Sequence, residues 1–322
     1  MMNMTQTTYV GIDVSKLSLD VALPMQSTWK QCVVTNDLEG FHHLLSFCGN
    51  QVHYVMEATG VYHLRLASFL SENGCCVSVV NPLSVKRFCQ SMLRRIKTDK
   101  LDAKYISLYG QAHRPSLWVR PDPVLALVSQ EQSLIMLLSE QRTQLLNFRE
   151  SLGQQPSKSV LAESVLQQEI QLVEAKITEL ETAVVATLEQ HYGSEMYNVC
   201  TVPGMGKRTA ALLLMVTGGL KRFHSAAQLC CYLGLTPMFT ESGTSIRRKG
   251  SISKMGSAKL RKQLYMCSWS AIRFNKQCKD LYERLKAKGK AGKLILVAVM
   301  NKLMRQVFSI VKNNTAYSPS TV

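Results

Sequence analysis

The stretch RRIKTDKLDAKY, residues 94–105, sets Asp99 and Asp102 three residues apart inside a run of lysine and arginine. On a helix, positions i and i+3 share a face, so the two carboxylates point the same way and repel unless a cation lies between them. Lys97, Lys100 and Lys104 offer one answer, a solvated charged face. A metal ion is the other. Asp13 interrupts the apolar run YVGIDVS, where a carboxylate is costly unless a cation or hydrogen bonds compensate for its burial. Glu57 ends VHYVME, again with apolar neighbours. Four carboxylates gathered in one place require a metal. Hard oxygen ligands acting on a phosphate select Mg²⁺, with Mn²⁺ as a substitute, and two such ions hold the attacking and leaving oxygens of a phosphoryl transfer in line.

The elements that would gather these acids are legible in the first third. Short alternating runs at 8–15, 18–23 and 30–36 read as a β-meander. A helical period follows over 37–48, then a strand at 52–57, a helix at 62–74 stopped by Gly74, a strand at 75–82, and two helical stretches over 83–112. This order predicts an RNase H-like mixed α/β sheet. Its first and fourth strands are neighbours, which places Asp13 beside Glu57 and both near the helix carrying Asp99 and Asp102.

The chain has 322 residues, 46% of them apolar, enough for two domains with cores of their own. Its net charge of +16 is unevenly distributed. Residues 1–200 hold 16 basic and 19 acidic side chains, a sum of −3, whereas residues 201–322 hold 22 and 3, a sum of +19. A basic surface of that density predicts a polyanionic partner, nucleic acid, because lysines and arginines that neutralise phosphates release condensed counterions. No membrane partner is expected: apolar runs such as LILVAVM (294–300) are short and the N-terminus lacks a basic-then-apolar signal, which predicts a cytoplasmic protein. The ten cysteines, without any C-x-x-C, read as reduced and mostly buried.

From Val124 to Gln190, Gly and Pro are nearly confined to SLGQQPSK (151–158), which predicts two long antiparallel helices joined at Gly153–Pro156. Leu166, Ile170, Val173, Ile177, Leu180 and Val184 keep a heptad-like spacing, and the narrow hairpin is expected to pair with another copy, as a coiled coil. In CTVPGMGKRTAALLL (200–214), a PGMG turn precedes a helix opening with Lys207 and Arg208, which reads either as a helix-hairpin-helix-like phosphate contact or as a plain turn between helices. Residues 235–266 set a serine-rich loop before a basic helix, with Arg247, Arg248, Lys249, Lys254, Lys259, Arg261 and Lys262 as further candidate nucleic-acid contacts.

GIDVSK, MEATGVY, VVNP and KTDKLDAK, followed by VPGMGKRTAALLL, YLGLTP, ESGTSIRRKGSISKMG and LRKQLY, resemble the DEDD transposases of bacterial insertion sequences, the one-ten family, and the related Piv-type DNA invertases. The resemblance spans nearly the whole chain. It implies a DEDD catalytic domain over 1–123, a coiled-coil dimerisation hairpin over 124–192 and a mainly helical basic transposase domain over 193–322. It also implies Asp13, Glu57, Asp99 and Asp102 as the metal-binding acids and Ser242, in TESGTS, as a serine nucleophile, with Thr244 and Ser245 as neighbouring hydroxyls. The expected partners are donor and target DNA, a structured guide RNA from the element itself, and further copies of the chain, as a dimer or as a tetramer on DNA. Because serine and acids belong to different domains, the complete site is expected to assemble between protomers. A covalent serine ester conserves the energy of the phosphoester bond that hydrolysis would discard. A Piv-type invertase without guide RNA is one alternative; a Holliday-junction resolvase-like nuclease would use the same acids and no serine. A sugar-kinase-like ATPase lacks a second glycine-rich motif here, and a non-enzymatic binding protein would tolerate loss of all four acids.

Overall fold

The computed structural model describes residues 7–92, 99–238, 241–242, 246–247, 251–253 and 256–319; the side chains of 99–101, 238, 241–242, 246–247 and 251 lie outside the description. The chain divides into two compact units, Met1–Arg120 and Pro121–Val322.

The first unit runs β1 (Tyr9–Val14), β2 (Ser18–Pro24), β3 (Trp29–Thr35), α1 (Leu38–Cys48), β4 (His53–Glu57), α2 (His63–Glu72), β5 (Cys76–Val80), α3 (Pro82–Ser91) and α4 (Asp99–His113). The β-branched runs form the strands and the polar breaks become turns and caps. The Asp37 side chain accepts a hydrogen bond from Gly40 N at 2.9 Å to start α1, and Asn81, before Pro82, accepts from Leu83 N at 2.8 Å to start α3. The sheet order is β3-β2-β1-β4-β5, antiparallel across the meander and parallel from β1 through β4 to β5. The first and fourth strands are thus paired, as the sequence order predicts.

Alternation along the strands sends side chains to two separate cores. Val10, Ile12, Val14, Tyr54 and Met56 meet Phe41 and Leu44 of α1 and Leu66 and Leu70 of α2. On the opposite face Tyr9, Val55 and Val80 meet Val85 and Cys89 of α3 and Ile106 of α4. The result is three layers with the sheet in the middle.

Among the described residues, the second unit is helical apart from four two-residue strands. Its helices are α5 (Pro123–Gly153), α6 (Val160–His191), α7 (Gly193–Thr201), α8 (Lys207–Thr217), α9 (Ala226–Tyr232), α10 (Ala258–Phe274), α11 (Lys276–Ala287) and α12 (Gly292–Asn313). Helices α5 and α6 form the expected hairpin. Arg142 Nε reaches Glu174 Oε1 at 2.6 Å and Arg149 Nη1 reaches Gln167 Oε1 at 3.4 Å, so that seven residues forward on α5 match seven back on α6, the signature of antiparallel packing. Leu166, Ile170, Val173 and Val184 are buried, and Ile177 and Leu180 are partly buried against the core of this unit. The seam is therefore covered within the chain, by α5, instead of being left for another copy. A second set, Leu134, Leu137 and Phe148 on α5 and Leu161, Val165 and Leu172 on α6, stays exposed.

Helix α12 is long and apolar enough to cross a membrane by length and composition. Its apolar face, including Val299, Met300, Leu303 and Val307, is buried in the helical core. Gln306 on the same helix accepts from Asn275 Nδ2 at 2.9 Å and donates to Gln277 Oε1 at 3.1 Å, a buried polar network suited to a protein interior. None of the ten cysteines is in a disulfide, and burial pushes the Cys48 and Cys278 thiols up to about 12, which keeps those two unreactive.

Candidate nucleic-acid processing site

The position of α4 against the sheet decides where the acids lie. A Cβ added to Gly11 would stand 2.0 Å from Ala103 O and 2.4 Å from Ser107 N, and one added to Gly110 would meet Tyr9 and Val55. Only glycine lets the helix backbone approach that closely. The Ser107 hydroxyl locks the approach by donating to Tyr9 O at 2.6 Å. Gly110 lies against Tyr9, and Ala103 and Ser107 lie over Gly11, so α4 runs opposite to β1 and its first turn comes over Asp13.

Asp13 and Glu57 therefore share the α4-covered face. The register Ile12↔Met56 places them one step further on, level with each other near the C-terminal ends of two parallel strands. Ile12 and Met56 point into the other core, so Asp13 and Glu57 point towards α4. Asp102, partly buried, lies in the first turn of that helix; Asp99 opens it, with its side chain outside the described residues. Three of the four predicted acids are thus brought to one end of one face, and the backbone of the fourth to the same end.

Asp20 was missed by the reading of the sequence. It pairs directly with Asp13 across the β1–β2 ladder and so shares its face. Its signal was the same as that of Asp13, a lone carboxylate between apolar residues in SLDVAL. Two carboxylates directly opposite each other on antiparallel strands are unfavourable unless a cation neutralises them. Among the described residues no group of three or more His, Cys, Asp or Glu stands ready to hold a metal ion. The donor chemistry nevertheless fits one: Asp13, Asp20, Glu57 and Asp102 offer only oxygens, the preference of Mg²⁺ and Mn²⁺.

The predicted basic residues divide into three groups. Arg248, Lys249 and Lys254 lie outside the described residues, as do Thr244 and Ser245. Ser242 and Arg247 fall on short strands, with Ser242 paired to Ile246 and Glu241 to Arg247, while Pro237–Met238 pairs with Ser251–Ile252. Over its described residues the expected serine loop is therefore a β-hairpin in part. On α10, Arg261 Nη1 donates to Leu233 O at 3.3 Å and to Gly256 O at 3.2 Å, fastening the foot of this hairpin, while Lys262 is exposed.

The third group surrounds α8. The PGMG turn joins α7 to α8, with Gly204 at φ 105° and its Cα packed so tightly on Ala271 of α10 that a side chain would clash. Lys207 Nζ lies 2.7 Å from Glu189 Oε1 and Arg208 Nη2 lies 2.6 Å from Glu181 Oε2, both acids being on α6. The hydrogen bond to Glu189 and its charge hold the Lys207 ammonium above its ordinary value. Lys259 Nζ is shielded from solvent without a hydrogen-bond partner, and burial pushes its ammonium down against the opposing pull of Glu181.

A family model described as "Transposase", of the DEDD type, matches residues 10–155, and one described as "Transposase IS116/IS110/IS902 family" matches residues 196–283. The "Pilin gene-inverting protein" of Moraxella lacunata is 30% identical over 329 residues, covering 96% of this chain and 97% of that protein. The chain belongs to the IS110 transposase family. As a member of that family it is a DNA recombination enzyme. The protein of the same name from Moraxella bovis is also 30% identical, over 96% of the chain. The "Insertion element IS110 uncharacterized 43.6 kDa protein" of Streptomyces coelicolor is 30% identical over 43% of the chain and 33% of its own length. For this IS110 member, the first family match spans the sheet and α4, and the second spans α7 through most of α11.

Proposed function

We propose that this IS110-family enzyme cuts and rejoins DNA strands at specific sites, using a divalent-metal site made by Asp13, Glu57, Asp99 and Asp102 and a serine nucleophile, Ser242. The observation that carries this reading is the pairing of β1 with β4 beneath α4, which takes Asp13, Glu57 and Asp102 to one end of one face. The strand order β3-β2-β1-β4-β5, with an antiparallel meander followed by parallel strands, supports an RNase H-like assignment for this unit. Mg²⁺, when bound, would lower the pKa of the attacking hydroxyl and neutralise charge building on the phosphorane.

The residues of the chain then have separate tasks. The carboxylates fix the geometry, and the basic residues that follow Ser242 in the sequence, Arg247 and Arg248 among them, hold the strand. Ser242 Oγ forms an ester with phosphorus while the P–O bond to the departing sugar oxygen breaks, and the serine proton goes to that oxygen. Attack by a new sugar hydroxyl reverses these steps and joins the strand, returning the proton to serine. The bond count is conserved, so no external energy source is needed. The +19 surplus of residues 201–322 supports both DNA and a structured guide RNA as partners. The exposed apolar side chains of α5 and α6, Leu134, Leu137, Phe148 and Leu172 among them, support self-association through the hairpin.

A second reading, inversion of a DNA segment without a guide, is favoured by the match to the gene-inverting proteins over almost the full chain. Both readings share the covalent step. Trapping the reaction on a nicked DNA substrate, digesting the product and sequencing the DNA-linked peptide by mass spectrometry tests it. An adduct at Ser242 is expected. An adduct at Thr244 or Ser245 moves the nucleophile, and DNA cleavage without any adduct replaces the covalent mechanism with a hydrolytic one.

A further inference from the structure

The ion pairs between α6 and α8 occupy the side chains that the preceding reading gives to nucleic acid. Lys207 and Arg208 open α8 in the basic third of the chain, and each meets a carboxylate of α6, at 2.7 Å and 2.6 Å. The segregation of charge makes this pairing notable. Residues 121–200 carry 4 basic and 11 acidic side chains, against 22 and 3 in residues 201–322. Glu181, Val185 and Glu189 follow one another at i, i+4 and i+8 along one face of α6, and with Thr182, Lys207 and Arg208 they line a cavity of about 370 Å³.

We propose that Glu181 and Glu189 form a gate on this surface: they stand in for phosphates at Arg208 and Lys207, and the phosphodiester backbone of a nucleic acid displaces them to bind at Lys207, Arg208 and Lys259. The proposal rests on the reading that Lys207 and Arg208 contact nucleic acid. The exchange is inexpensive at Lys207–Glu189, whose side chains are 66% and 42% exposed, because exposed ion pairs contribute little net stability; Glu181 is 24% exposed, so its pair with Arg208 is the costlier of the two to open. A phosphate oxygen makes the same kind of charge-assisted bond as a carboxylate oxygen. It also offers something the closed state lacks. Lys259 Nζ has no hydrogen-bond partner while Glu181 is engaged by Arg208, and a phosphate entering beside Glu181 would supply one. Three cations against two carboxylates leave a residual attraction for anions even when the gate is closed.

The gate also selects by class of anion. A free phosphate replaces one carboxylate at a time and gains little, whereas a polynucleotide presents several phosphates on one tether and replaces both together. Glu181 and Glu189 would thus tune affinity down, raising the threshold against weak anions while leaving the polynucleotide able to bind.

The test is binding of a fluorescein-labelled DNA duplex and of an RNA hairpin to the full-length protein by fluorescence anisotropy. Glu181→Gln with Glu189→Gln keeps side-chain shape and removes both charges; affinity should rise about threefold to tenfold. The single change Glu189→Gln, at a side chain 42% exposed, should give about a twofold rise and guards against misfolding of the double variant. Inorganic phosphate should compete better against the double variant than against the wild type. Unchanged or weaker nucleic-acid binding by both glutamine variants overturns the gate. Lys207→Ala with Arg208→Ala separates the two claims. If that variant binds as tightly as the wild type, the assignment of the two cations to nucleic acid falls; if it binds weakly while the glutamine variants behave as wild type, the gate alone falls.

Discussion

The two units of this enzyme support their functional charges on different kinds of scaffold. In the sheet unit, Asp13 and Glu57 extend from adjacent strands whose neighbours Ile12 and Met56 are fully buried, and α4 is pressed onto β1 at Gly11. In the helical unit, Lys207 and Arg208 stand on the first turn of a helix, largely exposed and held by ion pairs to α6. The difference fits the roles proposed for each group. A carboxylate that orders a metal has to be placed within a fraction of an ångström, so it is built on rigid, doubly covered strands. A cation that contacts a phosphate backbone acts over a longer range and tolerates play, so a helix surface is sufficient.

The sharpest break in that comparison would come from the acids. Asp102→Ala should reduce recombination in a plasmid assay by about a thousandfold or more, equivalent to roughly 4 kcal/mol or more, with nucleic-acid affinity nearly unchanged. An equal loss of affinity would mean that the acids and the basic third do not divide chemistry from binding. The next effect is on the scaffold. Gly11→Val places atoms where Ala103 O now lies, and should destabilise the sheet unit by about 3 kcal/mol, read as earlier proteolysis within residues 1–120. Faster cleavage confined to residues 121–322 would contradict the role given to that close approach.

The same division explains what could be read from the sequence. Strand alternation and the order of elements identify the sheet, and Asp13 and Glu57 are conspicuous because carboxylates interrupt apolar runs. Asp20 carried the same signal and was passed over, since its importance depends on the antiparallel register that sets it opposite Asp13. The hairpin was legible from the scarcity of Gly and Pro, but not the partner of its seam: one periodic stripe looks the same whether another copy covers it or, as here, α5 of the same chain. The pairs Lys207–Glu189 and Arg208–Glu181 join residues 18 and 27 positions apart, on separate helices, and no local pattern announces them.

Asp20 offers a smaller test of the precision assigned to the sheet unit. Asp20→Asn removes one of two opposed charges beside the proposed metal site while conserving shape. The Mg²⁺ concentration giving half-maximal recombination should rise about tenfold, an effect of roughly 1.4 kcal/mol on metal binding. An unchanged midpoint would confine Asp20 to a structural part and leave the site to the four predicted acids.

The smallest expected effect lies in the helical unit, at Arg142 and Glu174. Their 2.6 Å contact ties α5 to α6, yet both side chains are 45% exposed, so solvent screening and the cost of ordering two long side chains offset most of the attraction. If register in the hairpin is set by its apolar seam, with Val128, Ile135, Val184 and Leu188 buried, Arg142→Ala should cost only about 0.5 kcal/mol in urea unfolding. The same change should have still less effect at high salt, where the wild-type pair is already screened. A loss of about 2 kcal/mol or more, persisting at high salt, would show that this exposed pair positions the helices as firmly as burial positions the strands. The contrast between a precisely built sheet and a tolerant helical surface would then fail at the hairpin, and the ion pairs at Lys207 and Arg208 would have to be treated as fixed structure as well.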